Sequence, residues 1–482
     1  MNLFDDKDRP VVSDLTIGEA MTAFRDGALS SAELVRACLE RAEEGRELNV
    51  YVTLDTRGAL DAARAADDVR RAGAPLKPLS GIPIVVKDNI HAAGLPCTAG
   101  TPAFADFVPA QDAPVLKKLR DAGAILLGKT NMHELAFGAT GYNGAFNTGS
   151  RPGVRNAYDS ERIAGGSSSG SAAALGARMA LAALGTDTGG SMRIPCALNA
   201  CASLRPSSGR YASEGVIPIS RSRDTVGPMG LCMADVALLD ALISDEHGLP
   251  PVSLSNLRLG VVDSLWCDLD DDTREVAEAA LGKLRDHGVT LVELTDSALL
   301  ELNQAVGFPV VIHEAYDSMR AYLQEEGPGI AIEELAAGIH SPDVRAIYDD
   351  WVLPRKIPGA QGLVDVAPLY AAAQSGGRQA LREHYQDLFE QHRLDALVFP
   401  TTTIVAPLAG DEVNQPACFE RLIRNTEPAA SAGLPGIQLP IGLGSRSGLP
   451  VGLELDALSG SDRRLLAIGV VLEAVFGRIP RA

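Results

Sequence analysis

Two clusters of serine and glycine, separated by a short apolar segment, constrain what this chain can fold into more than any other feature. Residues 165–171 read GGSSSGS and residues 185–195 read GTDTGGSMRIP. The segment between them, residues 172–184, is rich in alanine and long enough for a helix. Clustered glycines let backbone N–H groups converge on one point without obstruction from side chains. A serine beside such donors has the arrangement that acyl transfer requires, a nucleophile next to an oxyanion hole.

The overall composition excludes several classes of partner. The chain of 482 residues carries 43 basic and 62 acidic side chains, which gives a formal net charge of −19. Its average surface therefore repels polyanions such as DNA or tRNA, and we expect no nucleic-acid partner. The seven cysteines show no CxxC spacing and no zinc-site pattern with histidine. We predict free, mostly buried thiols in a reducing compartment, and no bound metal.

Signals that would direct the chain to a membrane are also missing from the sequence. The first residues, MNLFDD, lack the basic and apolar regions of a signal peptide. No run of about 18 apolar residues is free of glycine and polar interruptions, so the sequence predicts no membrane span. We therefore expect a cytoplasmic protein without membrane contact.

Helical and strand-like segments alternate along most of the chain, which predicts an α/β fold with parallel strand pairs. Capping-box patterns at residues 16–19 and 30–33 predict helix starts, and residues 84–86 and 124–128 predict buried strands. Residues 1–75 are expected to form a mainly helical N-terminal part, and residues 296–394 a helical insertion or cap. Because no long flexible linker interrupts the pattern, we predict a single domain over residues 1–482.

Ser191 is the first candidate for a nucleophile, because it ends the segment TDTGGS, whose backbone N–H groups can form a nest for an oxyanion. The eight histidines show no Ser-His-Asp order, so a buried, neutral lysine is considered as the base. Lys87 is the candidate because it ends a hydrophobic strand, and Ser167 would pass the proton between the two. Each residue also has an ordinary explanation: a solvated serine in a turn, a lysine paired with Asp88, and a serine that caps a helix.

These residues carry a resemblance to the amidase signature family. The similarity comprises the KDN motif of residues 87–89, the two serine and glycine clusters, and the separation of 24 positions between Ser167 and Ser191. It continues through residues 128–134 (GKTNMHE) and 224–229 (DTVGPM), and it returns at residues 433–435 and 448–452. The resemblance therefore covers nearly the whole chain.

The resemblance implies amide hydrolysis through an acyl-enzyme, carried out by a Ser–cis-Ser–Lys triad without a metal or a cofactor. Ser191 would be the nucleophile and Lys87 the general base. Ser167 would be the relay, held by a cis peptide bond after Gly166. The implied fold is a large mixed β-sheet sandwiched between helical layers, and a homodimer is compatible with the resemblance.

Further roles follow from the same resemblance. The oxyanion hole would be formed by the backbone N–H groups of Thr188, Gly189, Gly190 and Ser191. Three side chains would support this machinery from behind, namely those of Ser168, Asp187 and Arg193.

Within the family, residues 84–91, 131–138 and 217–220 are most similar to the hydrolases of arylacetamides such as indoleacetamide and mandelamide. Those enzymes release ammonia and an aryl acid, so a small-molecule amide and a larger apolar acyl pocket are implied. Candidate pocket residues are Tyr142, Asn143 and Phe146. Weaker candidates from the insertion are Phe308, Tyr316 and Trp351. Ordinary core packing is an equal alternative for each aromatic side chain.

Three other functions are weighed against this one. Another small-molecule amidase, acting on anilides, carbamates, peptide amides or short diamides, would share every catalytic residue. The A subunit of a glutamyl-tRNA amidotransferase is disfavoured by Ile194, where a glutamine is usual, and by the acidic surface. A non-catalytic binding protein is disfavoured because the lysine and both serines are intact.

Overall fold

A mixed β-sheet forms the centre of the molecule in the computed structural model, which describes residues 12–147 and 152–480. In chain order, its strands and those of a small hairpin are β1 (Tyr51–Leu54), β2 (Pro83–Lys87), β3 (Ile125–Thr130), β4 (Ala182–Asp187), β5 (Ala202–Arg205), β6 (Thr225–Gly230), β7 (Arg258–Val262), β8 (Thr290–Leu294), β9 (Lys356–Gly359), β10 (Gly362–Asp365), β11 (Ala396–Pro400), β12 (Gly436–Leu443) and β13 (Pro450–Asp456).

Helices cover both faces of this sheet. In chain order they are α1 (Ile17–Arg25), α2 (Ser31–Glu44), α3 (Thr56–Arg71), α4 (Pro114–Asp121), α5 (Ser169–Gly176), α6 (Arg193–Leu198), α7 (Met233–Ser244), α8 (Asp271–Asp286), α9 (Ala298–Glu325), α10 (Ile332–Gly338), α11 (Pro342–Ile347), α12 (Val366–Ala372), α13 (Arg378–His392), α14 (Pro416–Ile423), α15 (Glu427–Ala432) and α16 (Asp462–Phe476). Successive residues of β12 face opposite sides of the sheet and so show the two layers. Ile437 lies against Gly469 of α16 on one face. Gln438 lies on the other face, where it and Ala197 of α6 are close to Gly452.

The strand order is β1-β3-β2-β4-β6-β5-β12-β13-β11-β7-β8 among the described residues. Strands β3, β2 and β4 run parallel, and so do β11, β7 and β8. Parallel neighbours need a crossover connection, and α4 supplies one between β2 and β3. The strands between these two groups pair antiparallel. The expected mixed sheet and its parallel pairs are therefore confirmed.

Local sequence signals located several helix ends correctly. Thr16 caps α1 and Ser30 caps α2, and both form the complete capping box with Glu19 and Glu33. In each box the hydroxyl oxygen accepts from the N–H three residues on, while the glutamate accepts from the N–H of the cap. Two orphan donors are satisfied at each helix start, which fixes where the helix begins.

The alanine-rich segment between the two serine clusters is not one helix, contrary to expectation. Helix α5 ends at Gly176, the chain turns at Arg178 with φ of 60°, and residues from Ala182 onwards form β4. Strand β4 is buried on both faces between β2 and β6. A strand in that position is apolar on both sides, so its sequence has the same composition as a buried helix.

Strands also occur in the two segments that were expected to be mainly helical. The N-terminal part contains β1, which pairs antiparallel with β3 at the edge of the sheet. The insertion consists of α9 to α13 together with the hairpin of β9 and β10. The other regular elements described in both segments are helices. Strand β6 escaped prediction because its sequence TVGPMG includes glycine and proline, which weaken the strand signal.

Two further expectations concern cysteine and membrane contact. Of the seven cysteines, all are free and five are buried, so the predicted state of the thiols is confirmed. Within residues 12–147 and 152–480, no helix has the length and apolar character needed to cross a bilayer. The N-terminal residues in which no signal peptide was found lie outside the described residues, as does part of the glycine-punctuated loop at residues 148–151.

Candidate active site

Lys87 lies at the end of β2 with its side chain fully buried, and no carboxylate among the described residues contacts its ammonium nitrogen. Its Nζ lies 2.8 Å from Ser167 Oγ and 2.7 Å from Thr186 Oγ1. Burial lowers the pKa of Lys87 from 10.5 to about 7, although the more distant charges of Asp187 and Asp224 partly oppose this. A lysine with this pKa is substantially uncharged at neutral pH and can accept a proton from a hydroxyl.

Asp88 does not pair with Lys87, which decides between two interpretations that the sequence left open. The Asp88 carboxylate instead forms an ion pair with Lys129 of the neighbouring strand β3 at 3.1 Å, and both side chains are fully buried. It also accepts hydrogen bonds from the N–H and hydroxyl of Thr98. Asp88 thus bonds to other residues, and the partners of Lys87 in the described part of the chain are hydroxyl and carbonyl oxygens.

Ser167 follows Gly166 through a cis peptide bond, as the resemblance implied. The serines of this cluster do not cap α5 with their side chains, because the hydroxyl of the N-cap residue Ser168 donates instead to Thr186 O at 3.0 Å. The backbone N–H of Ser168 donates to Ser191 O at 2.9 Å, which fixes the two serine clusters side by side. The hydroxyl of Ser167 is left for Lys87.

Ser191 faces a cavity, and its hydroxyl makes no hydrogen bond with the described residues. Backbone N–H groups of Thr188, Gly189 and Ser191 likewise have no acceptor within residues 12–147 and 152–480. The N–H of Gly190 differs, because it donates to Asp187 Oδ1 at 2.8 Å. The donors available for an oxyanion hole are therefore three of the four that were predicted.

Asp187 organises the backbone around Ser191. Its carboxylate accepts from the N–H groups of Gly190 and Met192, and it forms buried ion pairs with Arg193 at 3.0 Å and Arg205 at 2.9 Å. Burial opposes ionisation of Asp187, but the two guanidinium groups outweigh it and hold the pKa well below its usual value. Arg193 also contacts the carboxylate of Glu454 on β13. The predicted supporting residues are thus in contact with the loop that carries Ser191.

The cavity beside Ser191 has a volume of about 530 Å³ and a mostly apolar wall. Six segments form it: residues 133–140, 188–194 and 219–223, helix α9, the chain from Asp343 to Trp351, and residues 413–427. Phe308 and Trp351 meet edge to face, with ring centroids 5.3 Å apart and planes at 86°. Among the described residues, the ionisable side chains in the wall are those of His133, Arg223, Asp343, Asp350 and Glu427. A cavity of this size and character suits a small molecule with an apolar ring.

The three pocket residues proposed first lie outside this cavity, whereas two of the weaker candidates line it. Asn143 is buried and organises its own loop, donating to Gly100 O and Met132 O at 2.9 and 3.1 Å. Tyr142 lines a smaller neighbouring cavity, and Phe146 contributes its carbonyl oxygen to Asn131. Phe308 and Trp351 from the insertion are part of the main wall. The guanidinium groups that stack on Tyr316 belong to Arg320 and Arg355, away from that wall.

Sequence reasoning missed several residues that surround the candidate triad. The hydroxyl of Thr186 accepts hydrogen bonds from Lys87 and from Asn89 Nδ2, the latter at 3.1 Å. Thr186 belongs to the second serine and glycine cluster and Asn89 to the KDN motif, but neither was given a role. Arg223 and Glu427 lie close to Gly189, at 3.4 and 3.7 Å from where a Cβ would stand. For Arg223 the adjoining DTVGPM motif was a signal. Glu427 had none, because it is 204 residues from Arg223 in sequence.

Comparisons with known proteins find similarity along nearly the whole chain. A model of the Amidase family matches residues 33–466. The mandelamide hydrolase of Pseudomonas putida is 45% identical over 468 residues, covering 97% of this chain and 92% of the relative. The indoleacetamide hydrolase of Rhizobium radiobacter is 36% identical over 475 residues, covering 97% and 98%. A crystal structure of an amidase superposes with a TM-score of 0.83 at 33% identity, covering 96% of this chain and 100% of that one.

Proposed function

The chain belongs to the amidase family and is an amide hydrolase, and we propose that it hydrolyses small arylacetamide-type amides to an acid and ammonia. The proposal extends to a Ser–cis-Ser–Lys mechanism that proceeds through an acyl-enzyme. The observation that carries it is the contact between a buried lysine of lowered pKa and Ser167, beside a serine that faces an apolar cavity. No metal or cofactor is part of the proposed reaction.

The nucleophile is activated by transfer of a proton along the two serines. Neutral Lys87 accepts the proton of Ser167, and Ser167 accepts that of Ser191. The freed Ser191 Oγ then forms a bond to the carbonyl carbon of the amide. The Lys87–Ser167 contact of 2.8 Å is within the range of a direct proton transfer. Binding of the amide is expected to bring the Ser191 hydroxyl onto Ser167, since such contacts tighten in the substrate complex.

The negative charge of the tetrahedral intermediate falls on the former carbonyl oxygen. Three backbone N–H groups lacking acceptors in the described residues, those of Thr188, Gly189 and Ser191, are the proposed donors to it. Collapse of the intermediate breaks the C–N bond, and the ammonium of Lys87 returns its proton through Ser167 to the departing nitrogen. A water molecule then hydrolyses the acyl-serine ester by the same relay, which releases the acid.

The apolar wall supports an aromatic acyl group. Phe308 and Trp351 provide an edge-to-face pair on which a ring can pack, and Phe137 and Phe419 belong to the same cavity. The named activities of the two relatives, on mandelamide and indoleacetamide, are of this chemical type. Anilides, carbamates and peptide amides would use the same triad, so they are the alternatives that a substrate panel must include.

The test is ammonia release from indoleacetamide, mandelamide, phenylacetamide, an anilide and an aliphatic amide. We expect the highest kcat/KM with one of the arylacetamides. Replacing Ser191 by alanine is expected to lower kcat by at least about 10³-fold without unfolding the protein. Ser208→Ala is the matched control, because Ser208 is an exposed serine outside the cavity. Full activity of the Ser191→Ala variant would exclude the proposed nucleophile, and preference for the anilide or the aliphatic amide would exclude the proposed substrate class.

A further inference from the structure

Arg223 places a fully buried positive charge in the wall of the cavity, two residues before β6 begins. We propose that Arg223 is a positioning residue that aims the backbone N–H groups of the oxyanion hole. The inference rests on the proposed function, because it assigns the oxyanion to the same loop. Arg223 is not expected to touch the substrate. It acts through the peptide unit that joins Thr188 to Gly189, while Glu427 holds the guanidinium in place.

The guanidinium reaches three acceptors on three separate segments. Its Nε donates to Thr188 O at 3.2 Å, its Nη1 to Gly307 O at 2.7 Å, and its Nη2 to Glu427 Oε1 at 3.2 Å. The planar fork of arginine can serve three diverging acceptors at once, whereas a single ammonium group cannot. The arrangement therefore requires arginine at this position and not merely a positive charge.

The contact with Thr188 O determines where the next N–H points. A trans peptide unit is planar, so its C=O and N–H are directed oppositely. Because Arg223 holds the carbonyl of Thr188, the N–H of Gly189 in the same unit is aimed away from the guanidinium. That N–H has no acceptor in the described parts of the chain, which makes it available to an oxyanion. Rotation of this unit would withdraw the donor.

The same loop is held at two further points. Thr426 Oγ1 donates to Gly189 O at 2.6 Å, which fixes the following peptide unit. Asp224, the residue after Arg223, accepts from the hydroxyl of Thr188 at 2.5 Å. The carbonyl groups of Thr188 and Gly189 are thus both bonded by side chains, and the loop cannot turn without breaking buried hydrogen bonds. A buried donor or acceptor that is left without a hydrogen-bond partner lowers the stability of the folded protein.

Glu427 and helix α9 hold the guanidinium itself. The second carboxylate oxygen of Glu427 accepts from Asn303 Nδ2 at 2.9 Å. Gly307 allows this close approach, since a Cβ there would lie 2.8 Å from Glu427 Oε1. The next residue of α9, Phe308, lines the cavity. The contact between Arg223 and Glu427 therefore connects the wall that would receive the acyl group with the loop that would hold the oxyanion.

The experiment measures how fast an alkyl fluorophosphonate labels Ser191, by intact-protein mass spectrometry. In this reaction Ser191 Oγ forms a bond to phosphorus, the P–F bond breaks, and fluoride and the hydroxyl proton leave. The phosphoryl oxygen occupies the oxyanion hole, so the rate reports donor alignment without knowledge of the natural substrate. We expect Arg223→Lys to label about 10- to 100-fold more slowly than the wild type, since loss of one aligned donor costs up to about 10³. Glu427→Gln, which keeps an acceptor for Arg223, should label less than about 10-fold more slowly.

Two controls separate positioning from a general loss of stability. Arg210 is a largely buried arginine paired with Asp240 away from the cavity, and Arg210→Lys should label at the wild-type rate. Binding of phenylacetate, which lacks a tetrahedral oxyanion, should keep its Kd within about 3-fold in Arg223→Lys, because a positioning defect acts on the transition state. Labelling of folded Arg223→Lys within 2-fold of the wild type would overturn the inference, and so would equal slowing by Arg210→Lys.

Ammonia release tests the proposed function, and the labelling rates test the role of Arg223. A wild-type protein that is labelled at Ser191 but releases no ammonia from arylacetamides contradicts the proposed substrate, while the labelling ratio of Arg223→Lys still decides the inference. A wild-type protein that is not labelled at Ser191 overturns the nucleophile assignment and this inference together.

Discussion

Two fully buried lysines on neighbouring strands show how partners, rather than burial, determine the state of an ionisable group. Lys87 ends β2 and Lys129 lies on β3, where it pairs in register with Val86. Lys129 contacts the carboxylate of Asp88 at 3.1 Å, whereas Lys87 contacts the hydroxyls of Ser167 and Thr186. Desolvation disfavours the charged form of both amines, but of these two lysines only Lys129 contacts a buried carboxylate, that of Asp88, which favours its charged form.

The two lysines consequently have opposite pKa shifts. Burial lowers the pKa of Lys87 to about 7. Burial also disfavours the charge of Lys129, but the neighbouring Cys97 and Asp88 outweigh it and raise its pKa. Lys87 is thus suited to exchange protons near neutral pH, while Lys129 stays charged and serves as the partner of Asp88. By occupying Asp88, Lys129 keeps that carboxylate from raising the pKa of Lys87.

The largest expected effect distinguishes the two lysines by activity. Lys87→Met should lower kcat by about 10³-fold or more, because it removes the proposed general base and a general base contributes 10²- to 10⁴-fold. Folded Lys129→Met should retain kcat within about 10-fold, because that lysine has no contact with either candidate serine. Steady-state ammonia release from the best arylacetamide measures both. Equal losses of kcat in the two folded variants would contradict the division of roles.

Features of the site that depend on residues close together in sequence were predictable, and those that depend on distant residues were not. The motifs around Lys87, Ser167 and Ser191 are local and were recognised directly. The partner of Asp88 was not, because Lys129 is 41 residues away and becomes its neighbour only through the register of β2 against β3. Sequence proximity favoured an Asp88–Lys87 pair that the fold does not form.

The cavity was the least predictable part for the same reason. Its wall is assembled from six segments, and the loop of residues 142–146, which the sequence suggested for the pocket, lies outside it. Asn143 in that loop is used to bond backbone carbonyls. The fold class, by contrast, followed from the alternation of helices and strands, which is a local property repeated along the chain. Its errors fell on buried or glycine-containing strands such as β4 and β6.

The second prediction concerns stability and the Asp88–Lys129 pair. Asp88→Asn or Lys129→Met alone should lower the free energy of unfolding by about 3–5 kcal/mol, because each leaves an unpaired charge in the interior. The double variant Asp88→Asn/Lys129→Met should lose less than the sum of the two single losses, by at least about 1 kcal/mol. Urea unfolding followed by circular dichroism measures all four proteins. Additive losses would show that the two groups do not depend on each other.

The smallest expected effect tests how hydroxyl partners tune Lys87. Since the base must be uncharged, kcat/KM should rise about tenfold per pH unit below pH 7 and level off above the pKa of about 7. Thr186→Val removes an oxygen that accepts from Nζ at 2.7 Å and stabilises the ammonium form. The acid limb of the profile should therefore move to lower pH, with a plateau about tenfold lower from looser positioning.

Thr130→Val is the matched control for that substitution, because Thr130 lies beside Lys87 in the β2–β3 register but its hydroxyl bonds Ser171 at 2.8 Å. Its profile should keep the wild-type midpoint. A midpoint that stays near 7 in Thr186→Val would mean that burial alone sets the pKa of Lys87, and a shift to higher pH would mean that Thr186 disfavours the ammonium. Either result would contradict the prediction that the Thr186 hydroxyl stabilises the ammonium form of Lys87.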